Sequence, residues 1–389
     1  MIIYRTMTTD VIKMASFFPV VAILGPRQAG KTTLAREAFK NYHYVNLENT
    51  DIRSYATLDP RGFLFEYLND YGLIIDEFQH VPALLSYIQT IVDEQKKPGQ
   101  FILTGSQNFL MNQAITQSLA GRISIHTLLP LSIAELSGAH LLPQTIEEFM
   151  YKGSYPSLYT TEVPADRWYR GYIHTYLERD VRQLRQVENL DLFQTFIQLC
   201  AGRIGQIVNF TSLANDCGIS DNTARQWLSL LEASYIVYLL KPHYKNFSKR
   251  IVKNPKLFFY DTGLVCSLLK VTPEILPMHP FKGNLFESLI ISELTKMSYN
   301  QGKDPSLYFW RDHTGHEIDC IIDKGQQLIP LEIKAAKTIS PSFFDGLKFW
   351  NELAQVDPQN GMIIYAGDED QKWSIGRVVS WKSLAKILV

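Results

Sequence analysis

Chemistry is concentrated in two stretches of the sequence. In the first, Val20-Val21-Ala22-Ile23-Leu24 runs into Gly25-Pro26-Arg27-Gln28-Ala29-Gly30-Lys31-Thr32-Thr33. The glycines let such a loop wrap a phosphate with its backbone N–H groups. Lys31 can reach β and γ phosphates, and the Thr32 hydroxyl can hold Mg²⁺. A helical pattern begins at Thr32, so the positive end of its dipole faces the same phosphates. Two further apolar runs end in polar groups. Leu73-Ile74-Ile75 ends in Asp76-Glu77, and Phe101-Ile102-Leu103 ends in Thr104-Gly105-Ser106-Gln107. As parallel strands they would deliver those groups to the carboxyl edge that carries the loop. Asp76 suits a direct or water-mediated hold on Mg²⁺, and Glu77 suits the general base that polarises an attacking water. Ser106 is the expected reader of the γ-phosphate, with Gln107 and Thr104 as alternatives.

The second stretch is Glu317-Ile318-Asp319, followed after twelve residues by Glu332-Ile333-Lys334. Side chains alternate along a strand, so Glu332 and Lys334 share a face. Asp319 and Glu332 can converge on one divalent cation, with the Ile333 carbonyl as a further ligand. Lys334 can orient or deprotonate a water for in-line attack on a phosphodiester. Glu287, on the helical stretch Phe281–Met297, can join the metal or orient Lys334. Oxygen ligands suit Mg²⁺ or Mn²⁺, not zinc. The plain alternative is a cross-strand ion network of two acids and a lysine. His313 and His316, in the turn before Asp319, read as surface residues.

The elements that must position these groups follow from periodicity. Up to about residue 140, strand candidates (Val20–Leu24, His43–Leu47, Leu73–Ile75, Phe101–Leu103, Arg122–Thr127) alternate with helical patterns. That predicts an α/β fold with a parallel sheet covered on both faces. From about Leu141 to Leu240 the pattern turns helical. Phe210–Ser220 and Asp221–Leu231 read as two helices joined at Gly218, followed by a strand over Tyr235–Leu240, an order that resembles a winged helix-turn-helix. Its second helix offers only Arg225 as a cation. Lys241, Lys245, Lys249, Arg250, Lys253 and Lys256, interleaved with Tyr244 and Phe247, read either as a phosphate-contacting patch or as a solvated connector, with the balance toward the connector. A helix, three strands, a helix and two more strands fill Phe281–Val389.

Composition bounds the rest. At 389 residues the chain has room for two or three domains. A formal net charge of -1 excludes a wholesale basic coat for nucleic acid. No run of about 18 apolar residues points to a membrane span. Four scattered cysteines form no CxxC pair. The start has no secretory pattern, and cytoplasm is the expected location.

The segments Ile23–Thr33, Ile74–Glu77, Thr104–Ser106 and Leu119–Arg122 together resemble the AAA+ ATPase superfamily. The set continues through Leu129–Ser132, Gly153–Pro156, Tyr176–Asp180 and Tyr260–Leu264. It resembles a prokaryotic family that joins such an ATPase to a C-terminal domain of unknown function. The order of Glu287, Asp319, Glu332 and Lys334 resembles the PD-(D/E)xK restriction-endonuclease-like fold. The resemblance implies ATP as the nucleotide and a transition-state arginine, Arg122 or, in the helical lid, Arg179, acting within the chain or from a neighbouring one. ATP and ADP are the expected partners, with nucleic acid, a protein partner and self-assembly left open. The expected division is an ATPase core over 1–140, a helical lid over 141–190 and a winged-helix block over 191–245. A basic connector over 246–280 and an endonuclease-like domain over 281–389 complete it.

Overall fold

The computed structural model describes residues 1–106, 118–176, 187, 189–243, 252–355 and 357–387. It divides into two compact units. One comprises residues 1–131, 233–235 and 298–303, the other 132–232, 236–297 and 304–389.

The first unit is built on five parallel strands: β1 (Val20–Leu24), β2 (His43–Asn46), β3 (Leu73–Asp76), β4 (Phe101–Gly105) and β5 (Ile123–Thr127). Their spatial order is β2-β3-β4-β1-β5. Strands β1, β3 and β4 are buried along their whole length, as expected when both faces of a parallel sheet are covered. Alternation along each strand feeds two cores. Val20, Ala22, Leu24, Leu73, Ile75, Phe101 and Leu103 pack into one. Val21, Ile23, Ile74 and Ile102 pack into the other. The first residue of β1 pairs with the first of β4 and β5, so all the strands end on one edge. β1 lies between β4 and β5, so the loop leaving it opens on that edge with a strand on either side.

The second unit holds an eight-stranded sheet. Its middle is β8 (Leu307–Arg311), β9 (Glu317–Asp323) and β10 (Leu328–Lys334), antiparallel neighbours. β11 (Met362–Tyr365) lies parallel to β10, and β13 (Gly376–Ser380) parallel to β11, with β12 (Gln371–Trp373) on the outer edge. On the other side β6 (Val237–Pro242) joins β8 through Lys241 and Pro242, and β7 (Lys256–Phe259) pairs with β6. Helix Lys282–Asn300 precedes β8, and helix Asp345–Ala354 stands between β10 and β11.

Residues 141–232 and 236–280 share one compact unit with the C-terminal strands. The reason is partly the shared sheet and partly a buried polar knot. Asp261 accepts hydrogen bonds from the Ser154 N–H (2.8 Å) and hydroxyl (3.0 Å), the Tyr169 hydroxyl (2.6 Å) and the Leu264 N–H (3.0 Å). Lys296 then donates to Ser154 (3.0 Å) and Glu293 (2.7 Å). Gly153 has φ 71°, and a Cβ there would sit 1.9 Å from the Tyr169 hydroxyl, so this junction requires glycine. One lysine of the basic stretch, Lys256, is buried. Lys256 opens β7, a strand buried at every position, and faces carboxylates rather than solvent. Arg225 packs over the Phe210 ring, 4.0 Å from its centroid. Lys241 and Lys253 are exposed. Lys245, Lys249, Arg250, Tyr244 and Phe247 lie outside the described residues.

Candidate functional site

The loop after β1 is shaped by its backbone. Gly25 has φ 151°, and a Cβ there would stand 2.1 Å from the Leu128 carbonyl oxygen. Gly30, φ 95°, precedes helix Lys31–Ala38, and Gln28 between them also has positive φ, 60°. Lys31 is buried, and its Nζ donates to the Gly25 and Pro26 carbonyls at 3.0 and 2.8 Å. Arg5 clasps the loop from outside the motif. Its guanidinium donates to the Ala29 carbonyl (2.5 Å) and the Leu129 carbonyl (2.6 Å), tying the loop to the exit of β5.

Asp76 ends β3 directly beside Thr104 of β4, its partner in register. It is buried and accepts from three hydroxyls: Thr32 at 3.0 Å, Tyr44 at 2.8 Å, and Thr104. Burial and the adjacent Asp76 carboxylate raise the Tyr44 hydroxyl above its ordinary range, so it stays a donor. Thr32 and Asp76 thus offer a hydroxyl and a carboxylate at one point, an oxygen pair that suits Mg²⁺. Glu77 follows in the left-handed region, φ 53°. Gln79 donates from Nε2 to Glu77, and from the same nitrogen to the Ser106 hydroxyl at 3.1 Å. Thr33 continues the helix. The structure therefore gathers Lys31, Thr32, Asp76, Glu77 and Ser106 at one edge of the sheet. Gln107 and Arg179 lie outside the described residues.

Arg122 is placed elsewhere. It precedes β5, and its carbonyl pairs with the N–H of Val20, the first residue of β1. The loop leaves the far end of β1, five residues on, about 16 Å along a strand. Its guanidinium grips Asp93 with two bonds, 2.5 and 2.9 Å, and that bond holds the Asp93 carboxyl below its ordinary value. Arg122 therefore stands too far away to complete its own chain's loop.

The C-terminal candidates also meet. Glu287, Asp319, Glu332 and Lys334 line one open pocket of about 550 Å³, together with Lys256 and Glu317. Asp319 accepts from the Ile333 N–H (2.8 Å) and from Lys334 Nζ (3.2 Å), and Lys334 also grips Glu332. Lys256 bridges Glu287 (3.0 Å) and Glu317. Burial, reinforced by the Asp319 charge, pushes Glu332 up to about 8 against the pull of Lys334. Burial likewise pushes Glu287 up to about 7 against Lys256, with Asp319 adding to the rise. Burial alone would lower Lys334, but Asp319 and Glu332 together hold its ammonium protonated well above its usual range. One Glu332 oxygen, Oε1, is buried without a donor among the described residues. It is accommodated because position 346 is glycine: a Cβ there would lie 2.2 Å from it.

The two acids expected to hold a metal, Asp319 and Glu332, are thus bridged by an ammonium. Among the described residues no group of three or more His, Cys, Asp or Glu is arranged to hold a metal ion. A divalent cation there would have to displace the Lys334 ammonium from Asp319 and Glu332. His316 stacks on Phe349, ring centroids 3.8 Å apart.

Comparison with known proteins gives three matched regions. Residues 18–137 match the family model of an AAA domain. Residues 143–275 and 282–384 match two domains of unknown function, DUF8612 and DUF4143. Residues 18–137 form an AAA domain of the P-loop kind. Among curated proteins, an uncharacterized protein of Mycobacterium tuberculosis is 28% identical over 355 residues, covering 90% of this chain and 77% of that protein. An uncharacterized protein of Haemophilus influenzae is 23% identical over 285 residues, covering 66% and 68%. Among solved structures, a Walker-type ATPase of Pyrococcus abyssi is similar over 67% of this chain and 94% of its own, with 15% identity and a TM-score of 0.46. The Thermotoga maritima RuvB Holliday junction branch migration motor is similar over 59% and 86%, with 18% identity and a TM-score of 0.28. No described helix is long and apolar enough to cross a membrane.

The sequence reading missed Arg5, Tyr44 and Gln79 around the AAA domain's loop, and Lys256 and Glu317 in the second pocket. Gln79 was within reach, two residues past Glu77. Lys256 was counted into a charge run although Leu257-Phe258-Phe259 beside it marks a buried strand.

Proposed function

We propose that the AAA domain binds ATP with Mg²⁺ and hydrolyses it, and that the nucleotide state is passed to the second unit. The observation that carries this is the hydrogen bond from Thr32, on the phosphate loop, to Asp76, at the end of β3, with Glu77 next in the chain. Lys31 would hold the β and γ phosphates, and Thr32 and Asp76 would hold the cation. Mg²⁺ bound there supplies charge neutralisation on the phosphate oxygens. Glu77 takes the proton of the attacking water, and Ser106 donates a hydrogen bond to the γ-phosphate. Calorimetric titration with ATP tests the binding step: Lys31→Ala is expected to lose binding, and unchanged affinity would refute its role.

A second reading, phosphodiester cleavage at the C-terminal pocket, is favoured by one observation. The four side chains expected for it line a single cavity. Incubation with ATP and Mn²⁺ over single-stranded, duplex and branched DNA and RNA tests it. Absence of cleavage, or cleavage undiminished in Asp319→Ala, removes this reading.

A further inference from the structure

Gln79 belongs to none of the motif positions, yet it touches two of the groups that hydrolysis would use. Its carboxamide nitrogen has two protons. One goes to a Glu77 carboxylate oxygen, Oε2, and the other to the Ser106 hydroxyl at 3.1 Å. Chemistry fixes this orientation, because a carboxylate accepts only, so the NH₂ end must face Glu77. Two consequences follow. Glu77 is held by one oxygen, which leaves the other to take a proton. Ser106 accepts from Gln79, so its own proton is directed elsewhere.

The placement is costly to the fold. The Gln79 oxygen, Oε1, is buried with no hydrogen-bond donor among the described residues, an unfavourable state for such a group. It lies against Gly105, where a Cβ would approach it to 2.4 Å. Glu77 itself sits at φ 53°, a conformation that costs a non-glycine residue energy unless its surroundings hold it there. An unpaired oxygen, a glycine that makes room for it and a left-handed glutamate do not assemble for stability.

We propose that Gln79 is a positioning residue for ATP hydrolysis: it fixes Glu77 as the base and Ser106 as a donor toward the γ-phosphate. The inference rests on the hydrolytic reading above. It predicts that Gln79 acts on turnover, with nucleotide binding untouched.

The test is steady-state phosphate release with the full chain and MgATP, across pH. Gln79→Met keeps size and removes the donor. It is expected to lower kcat by about tenfold or more, with KM and ATP affinity within about twofold of the parent. Gly105→Ala, which displaces the carboxamide without deleting it, is expected to act likewise, and the double variant no worse than either single one. Gln79→Glu sets a second carboxylate against Glu77 in place of the donor and is expected to lower kcat likewise. An unchanged kcat in Gln79→Met, or kcat falling only in step with thermal stability, overturns the proposal. Lys31→Ala and Glu77→Gln separate the failures. If both lose turnover while Gln79→Met keeps it, the role of Gln79 alone fails. If both turn over like the parent, the hydrolytic reading fails and the proposal with it.

Discussion

Glu332 is a residue whose surroundings constrain its charge. Its folded value, about 8, lies above the ordinary 4.5. A carboxyl raised in this way contributes stability that is fully present below the ordinary value and is lost as pH rises through the folded one. Between those limits the folded chain binds more protons than the unfolded chain, so stability falls as pH rises. Glu332→Gln imitates the neutral acid and escapes that loss. The melting temperature of the variant relative to the parent is therefore expected to rise from pH 5 to pH 9. A difference that does not vary with pH would contradict the placement. The phosphate loop, Asp76 and Glu77 were legible in sequence, because that chemistry requires fixed residue types at fixed spacing. The partner of Glu317 was not, because Lys256 reaches it from a strand more than sixty residues away.

At the scale of elements, the five strands of the AAA domain were legible nearly to the residue. Unbroken apolar runs bounded by glycine and charge have few other places to go than a buried parallel sheet. What sequence could not supply was the clasp on the loop. Arg5 meets carbonyls 24 and 124 residues away, and no local pattern records such a meeting. Its side chain is buried. Arg5→Ala would strand the Ala29 and Leu129 carbonyls, at about 2 to 4 kcal/mol. The expected outcome is a lower midpoint in urea unfolding and weaker ATP affinity together. Unchanged values of both would show that the clasp does not shape the loop. Strands β6 and β7 pair antiparallel with each other, and β6 also meets β8 through Lys241 and Pro242, a pairing that no local pattern records.

At the scale of the whole molecule, the chain divides into two compact units. The Asp261 knot accounts for part of this, since groups from three stretches of chain satisfy one buried carboxylate. Motif order alone left open whether the arginine finger acts within the chain. Arg122 lies at the opposite end of the sheet from its own loop, locked to Asp93. Arg122→Ala is therefore expected to leave turnover within about twofold of the parent wherever the protein is monomeric, since exposed pairs of this kind contribute little. A large loss in the monomer would contradict this placement, whereas a loss confined to an assembled form would assign Arg122 to a neighbouring chain.

The central claim is that one sheet edge holds both an ATP site and the base that hydrolyses ATP. The most direct measurement is phosphate release set beside ATP binding for the parent, Lys31→Ala and Glu77→Gln. The account predicts Mg²⁺-dependent release by the parent and neither binding nor release by Lys31→Ala. For Glu77→Gln it predicts retained binding with turnover reduced about a hundredfold or more. Turnover at the parental rate in both variants would contradict it.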